Sequence, residues 1–127
     1  RADREWKQMF PKEYDRLTAV LKDGPNEELL DRLRGRQVWI RAADGMTFRY
    51  CHLAETAVDV QVGVAVAAGV PLGKVGNTGT IDGARGTGRN CHLHFEIWPT
   101  EAAWLGKGLA PRAACALYGK LFGLEGR

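Results

Sequence analysis

The sequence predicts a mainly β fold, with an antiparallel core across residues 36–98 and a helical segment at each end. Three observations carry this expectation. Residues 90–98, Asn90-Cys91-His92-Leu93-His94-Phe95-Glu96-Ile97-Trp98, alternate in type residue by residue, and a period of two belongs to a strand with two different faces. Residues 36–53 join a β-rich run, Arg36-Gln37-Val38-Trp39-Ile40-Arg41, to a returning run from Met46 to Leu53 through Asp44-Gly45. That dipeptide marks hairpins whose two turn positions favour positive φ. On either side of this span the spacing of apolar residues becomes helical.

Taken in order, residues 1–35 read as a helical hairpin against a sheet edge. Pro11 is placed to open a helix at its first position, with Tyr14, Leu17 and Leu21 on one face, and Asp23-Gly24-Pro25-Asn26 stops it. A second short helix carries Leu29, Leu30 and Leu33, and Gly35 ends it. From Val60 a three-residue rhythm takes over: Val60, Gly63, Val66, Gly69, Leu72, then Gly73, Val75, Gly76 and Gly79. Glycines so spaced are expected to let short strands turn sharply and pack closely. Asn77-Thr78-Gly79 adds a turn. The polar loop Asp82-Gly83-Ala84-Arg85-Gly86-Thr87-Gly88-Arg89 is expected to wall a groove beside the histidine strand. It lacks the lysine and following helix of a phosphate cradle. Beyond Trp98-Pro99, a helix opens at Pro111, carries Ala113, Ala114, Leu117 and Leu121, and ends at Gly123, with Cys115 read as a small buried hydrophobe.

At 127 residues the chain is read as one domain, 1–127, able to bury a core without staples. Its formal net charge of +3 suits an anionic polymer without demanding one. No run of five Lys and Arg occurs, so a nucleic-acid partner finds no support. The longest apolar stretch, near 62–70, is broken by Gly63 and Gly69 and is too short to span a bilayer. Arg1-Ala2-Asp3-Arg4-Glu5-Trp6 contains no signal-peptide core. Cys51, Cys91 and Cys115 have neither zinc-finger spacing nor the even count of a disulfide framework.

Candidate chemistry gathers on the histidines, of which the chain has three. On the alternating stretch His92, His94 and Glu96 share one face, and Cys91, Leu93, Phe95 and Ile97 form an apolar row on the other. His52, in Tyr50-Cys51-His52-Leu53, alternates in the same phase. A strand needs no pair of imidazoles for its own stability, so the expectation is one solvent-reachable groove where His52, His92 and His94 converge, with Leu53, Leu93 and Phe95 packed behind. With residue 51 opposite 91, His52 and His92 would be diagonal neighbours at roughly 7–8 Å. Cys51 and Cys91 would then face the core together, leaving a disulfide and two buried thiols both open.

Tyr50-Cys51-His52-Leu53, the spaced valines and glycines running into Leu72-Gly73-x-Val75-Gly76-x-Thr78-Gly79, and His92-Leu93-His94-Phe95-Glu96 together resemble the lysostaphin/LytM-type zinc endopeptidases. His-x-His alone is a weak signal; the three motifs in this order and spacing, over residues 36–98, are specific. The resemblance implies an antiparallel barrel-sandwich core with a groove across it, here with an inserted N-terminal helical hairpin and a C-terminal helix. It implies cleavage of peptide bonds in peptidoglycan stems or cross-bridges outside the cytoplasm, by a secreted, periplasmic or wall-associated protein. By position, His94 matches the family's zinc ligand, and His92 and His52 match its two catalytic histidines. Zn²⁺ would acidify a bound water and polarise the scissile carbonyl, while the two imidazoles handle the proton and steady the oxyanion. Glu96 would orient an imidazole or stand at the surface.

The chain also departs from that pattern. The family's other two zinc ligands come from a His-x-x-x-Asp segment before the first hairpin, and no histidine precedes His52. Nothing in the spacing brings Asp3, Asp15 or Glu96 in as a replacement. Two expectations follow: a chain whose metal site is completed by an upstream segment, with the helical region to Gly35 inserted between core strands, or a degenerate member that binds cell wall or activates another hydrolase. A third, a biotinyl- or lipoyl-type carrier suggested by the Gly/Val rhythm, lacks a lysine on a tight hairpin; Lys74 lies within the rhythm.

Overall fold

The computed structural model describes residues 27–124. Among them the order of elements is α1 (Glu27–Arg34), β1 (Val38–Arg41), β2 (Thr47–Cys51), β3 (Leu53–Thr56), β4 (Gly73–Val75), α2 (Ile81–Ala84), β5 (His94–Trp98) and α3 (Pro111–Leu121). The strands make two small sheets, one in the order β1-β2-β5 and one pairing β3 with β4. The fold is mainly β, and among the described residues the sheets do not close into a barrel. Two compact units are distinguished, one holding described residues 27–39 and 50–95, the other 40–49 and 96 onward. The helix expected from Pro11 lies outside the described residues.

In the first unit α1 ends as its sequence dictates. Arg32 and Arg34 stand in its last turn, where positive charge complements the helix dipole, and Gly35 follows with φ +66°. The core of this unit is Val38, Cys51 and Leu53. Strand β3 pairs antiparallel with β4, Leu53 against Val75 and Thr56 against Gly73, with a bulge after Leu53. The close approach expected of the glycines occurs at this pairing. A Cβ at Gly73 would run into the Glu55 carbonyl, and one at Gly76 into the backbone of Ala54.

The rest of the glycine rhythm has a different cause from the one its spacing predicts. Residues 57–72 form turns, not short strands. Val64 N–H bonds to the Gln61 carbonyl and Val70 N–H to that of Ala67, and the third residue of each turn is a glycine with positive φ, Gly63 at +84° and Gly69 at +86°. A turn with positive φ at its third position is of type II and wants glycine there. The period thus records serial turns, and Val58, Val62, Val64 and Val70 are left exposed.

The hairpin of β1 and β2 forms within the expected span, with a longer connection. Ala42 N–H bonds to Met46 O and Gly45 N–H to Ala42 O. Gly45 alone is left-handed, at +88°, because the Asp44 carboxylate accepts from Met46 N–H at 3.0 Å and closes the turn without a second positive φ.

The second unit is built on an aromatic and charged cluster. Ile97 and Trp98 are buried. The Arg49 guanidinium stacks 4.0 Å over the Trp98 ring, and Trp98 meets Trp104 edge-on at 5.6 Å. Glu96, read from the sequence as a partner for an imidazole or a surface residue, is buried here. Its carboxylate accepts from Trp98 Nε1 at 2.7 Å and lies 3.9 Å from Arg49. A buried carboxylate persists where such partners replace water. Leu105 N–H bonds to Ile97 O at 2.7 Å, and the Tyr118 hydroxyl of α3 donates to Leu105 O at 3.0 Å. Helix α3 opens with Pro111 at its first position and closes before Gly123, at φ +64°. Cys115 is exposed on it, contrary to the expected burial, since none of the helix's residues is buried.

Gly35 supplies a stability test. It is left-handed, and a Cβ there would collide with the Thr78 carbonyl. Gly45 is equally left-handed but faces open space. Gly35→Ala should cost about 3 kcal/mol or more, strain and overpacking together, and Gly45→Ala about 1 kcal/mol. Urea unfolding of the two variants measures the difference, and equal losses would remove the close-approach argument.

Candidate functional site

The structure brings the three histidines together. The His52 and His92 rings lie 4.7 Å apart between centroids, and His52 and His94 lie 5.6 Å apart. His52 is buried, at 8% exposure, while His92 and His94 are exposed, so the cluster meets solvent through the latter pair.

The strand is shorter than expected. Tyr50 meets Phe95 at 5.1 Å and Arg49 meets Glu96, so β5 lies beside β2 from His94 onward and Cys91 falls before the strand. Asn90 takes a left-handed φ of +53°, and regular β structure begins only at His94. The alternation of 90–93 therefore has no sheet to act on. Leu93 is 45% exposed, Phe95 is half-buried, and of the trio expected behind the histidines only Leu53 is in the core. The cysteines follow suit: all are free, Cys51 buried and Cys91 exposed, so the disulfide left open by the sequence is absent.

His52 does not continue β2. It sits between β2 and β3 with φ +63°, a conformation in which non-glycine residues are uncommon and strained. The surroundings hold it there. His52 N–H bonds to Arg34 O and Leu53 N–H to Arg36 O, while the ring Nδ1 lies 2.7 Å from the Thr78 carbonyl. Thr78 is itself fixed, its hydroxyl donating to Leu53 O at 2.9 Å and accepting from Arg36 N–H at 2.9 Å.

That contact also sets a tautomer. A carbonyl oxygen only accepts, so Nδ1 of His52 carries the hydrogen and the neutral ring presents a bare Nε2. His92 repeats the device, with Nδ1 2.8 Å from the Asn90 carbonyl and its backbone N–H bonded to Gly76 O. Burial pushes the His52 pKa below 6.5; the Thr78 bond opposes this, and the charges of His92 and His94 add to it. The site thus holds an imidazole that stays neutral at neutral pH with a lone pair to offer.

The profile of Peptidase family M23 matches residues 19–105, well over half of the chain and enclosing all three motifs. The chain belongs to peptidase family M23. No curated protein and no solved structure matches it. Membership of M23 brings a peptidase-like domain of the lysostaphin/LytM type, in a family that is typically zinc-dependent. A catalytic zinc wants three protein ligands and an open position. Among the described residues no group of three or more His, Cys, Asp or Glu is placed to hold a metal ion, so those residues do not by themselves make the site. Two residues of the site are not singled out by the sequence, Thr78 and Asn90, whose carbonyls hold the His52 and His92 rings; Thr78 lies within the Gly76-x-Thr78-Gly79 motif and Asn90 opens the alternating stretch.

The depressed pKa of His52 makes a pH prediction. Below pH 6.5 the unfolded chain binds a proton at this position that the folded chain resists, so stability falls as pH drops through that range and levels off below the folded value. His52→Gln should flatten that part of the pH dependence of urea unfolding. A variant slope as steep as the parent's would remove the burial argument.

Proposed function

We propose that this domain hydrolyses peptide bonds in the stems or cross-bridges of peptidoglycan, outside the cytoplasm. The observation that carries the reading is the convergence of His52, His92 and His94 with two Nε2 atoms left bare by carbonyl-bound Nδ1 hydrogens. Neutral His52 is suited to take the proton of an attacking water as its oxygen bonds to the scissile carbonyl carbon. His92, its Nδ1 hydrogen held by the Asn90 carbonyl, offers its bare Nε2 on the open side as the second proton-handling imidazole and steadies the oxyanion once that nitrogen carries a proton. The proton on His52 then passes to the amine that leaves as the C–N bond breaks. His94 is the chain's candidate zinc ligand, with the remaining donors outside the described residues. No helix among those residues is long and apolar enough to cross a membrane.

A second reading draws on the absence, among the described residues, of a group placed to hold a metal ion: a degenerate M23 module that grips cell wall or activates another hydrolase. Zinc content and muropeptide release separate the two. The assay compares the 127-residue chain, the same chain extended upstream by a His-x-x-x-Asp segment, and the extended chain carrying His94→Ala. The peptidase reading expects weak zinc and little release from the first, tight zinc and release from the second, and loss of both in the third. In the extended chain, His52→Ala and His92→Ala should each lower kcat by about 10²- to 10⁴-fold. Tight zinc without release, together with stimulation of a second hydrolase, would decide for the degenerate module.

A further inference from the structure

The loop of residues 80–91, which delivers His92, is held by a network that neither the family match nor the histidine geometry explains. Asn77 directs both hydrogens of its side-chain amide into it, donating to Thr87 O at 2.7 Å and to Arg89 O at 2.8 Å. Two carbonyl acceptors at one amide leave no doubt which atom is nitrogen. From the other side the Asp82 carboxylate accepts from Asn90 Nδ2 and from the Thr87 hydroxyl at 3.1 Å, while the Asp82 carbonyl accepts from Thr87 N–H at 3.0 Å. The bond from Asn90 holds the Asp82 carboxyl below its ordinary range, with a smaller contribution from Thr87.

Asn90 is held from two directions: Asp82 accepts from its side-chain amide, and Asn77 fixes the carbonyl of Arg89 just before it. Its φ of +53° is one that asparagine tolerates better than most side chains, yet extended backbone remains the easier state. Left-handed, it turns its carbonyl onto His92 Nδ1, two residues on. Released into an extended conformation, it would turn that carbonyl away, and the exposed His92 ring would have nothing to fix its tautomer. Gly76, beside Asn77, meanwhile holds the His92 backbone.

We infer that Asn77 and Asp82 are positioning residues for His92: acting through Asn90, they hold the His92 ring in the Nδ1–H form with Nε2 directed to the cluster. The catalytic meaning of that form rests on the peptidase reading; the tautomer itself does not.

Long-range ¹H–¹⁵N spectra of the zinc-free 127-residue chain, recorded where the imidazoles are neutral, test the inference without any activity. In the parent both His52 and His92 should be mainly Nδ1–H, against the Nε2–H form that free histidine prefers. Asn77→Ala, Asp82→Ala and Asn90→Asp should each make Nε2–H the majority form at His92 and leave His52 unchanged, which also reports that the fold persists. Combining Asn90→Asp with Asp82→Asn exchanges donor and acceptor and should restore Nδ1–H at His92. A His92 tautomer indifferent to all of these variants, or one not restored by the exchange, overturns the inference. In the extended chain, Asn77→Ala should lower kcat by about 10- to 100-fold with KM unchanged. A tautomer shift with kcat unaffected would leave the positioning intact and remove His92 from the chemistry.

Discussion

Thr78 ties together the part of the fold on which the histidine cluster depends. Its hydroxyl links the chain just after α1, through Arg36 N–H, to the start of β3, through Leu53 O, and its carbonyl takes the Nδ1 hydrogen of His52. One short residue thus satisfies three polar groups from segments 42 and 25 positions away. Gly35 and Gly79 follow from it, because the chain passes too close to the 34–36 segment for a Cβ at either. The bond energies are individually ordinary, about 1 kcal/mol net each. What they supply jointly is direction, holding a buried imidazole in a backbone conformation it would otherwise leave.

That dependence explains what was legible in the sequence. The 38–51 hairpin, α1 and α3 are set by local alternation, apolar spacing and terminal Pro or Gly, and each was readable within its own residues. The three histidines were readable as one site because His-x-His and His52 recur inside spaced motifs. Their register was not. Period-two parity assumes an unbroken strand, and left-handed residues at 52 and 90 interrupt it; histidine and asparagine visit that region more often than most side chains, but still too seldom for their presence to signal a break.

Two further misreadings share a cause. The Gly/Val rhythm looks the same whether the glycines permit close strands or occupy the third position of type II turns, and both occur here, at 73–76 and at 63 and 69. Parity puts Glu96 on the face of His94, which suggests a partner for an imidazole or a surface residue. Its actual partners, Arg49 and Trp98, include a residue on another strand, and pairings across a sheet leave no trace in local pattern. Burial of β5 from Glu96 to Trp98 instead turns this carboxylate to those two partners.

The conformation of His52 has a consequence for how this position behaves under selection. Glycine adopts a φ of +63° freely, so replacing the histidine would relieve backbone strain while discarding the imidazole. Thermal robustness and chemistry therefore pull residue 52 in opposite directions. Glycine or asparagine at this position would trade the buried ring and its bond to the Thr78 carbonyl for an easier backbone. Under the proposed peptidase reading, selection for activity should keep the histidine and place its compensations at other positions.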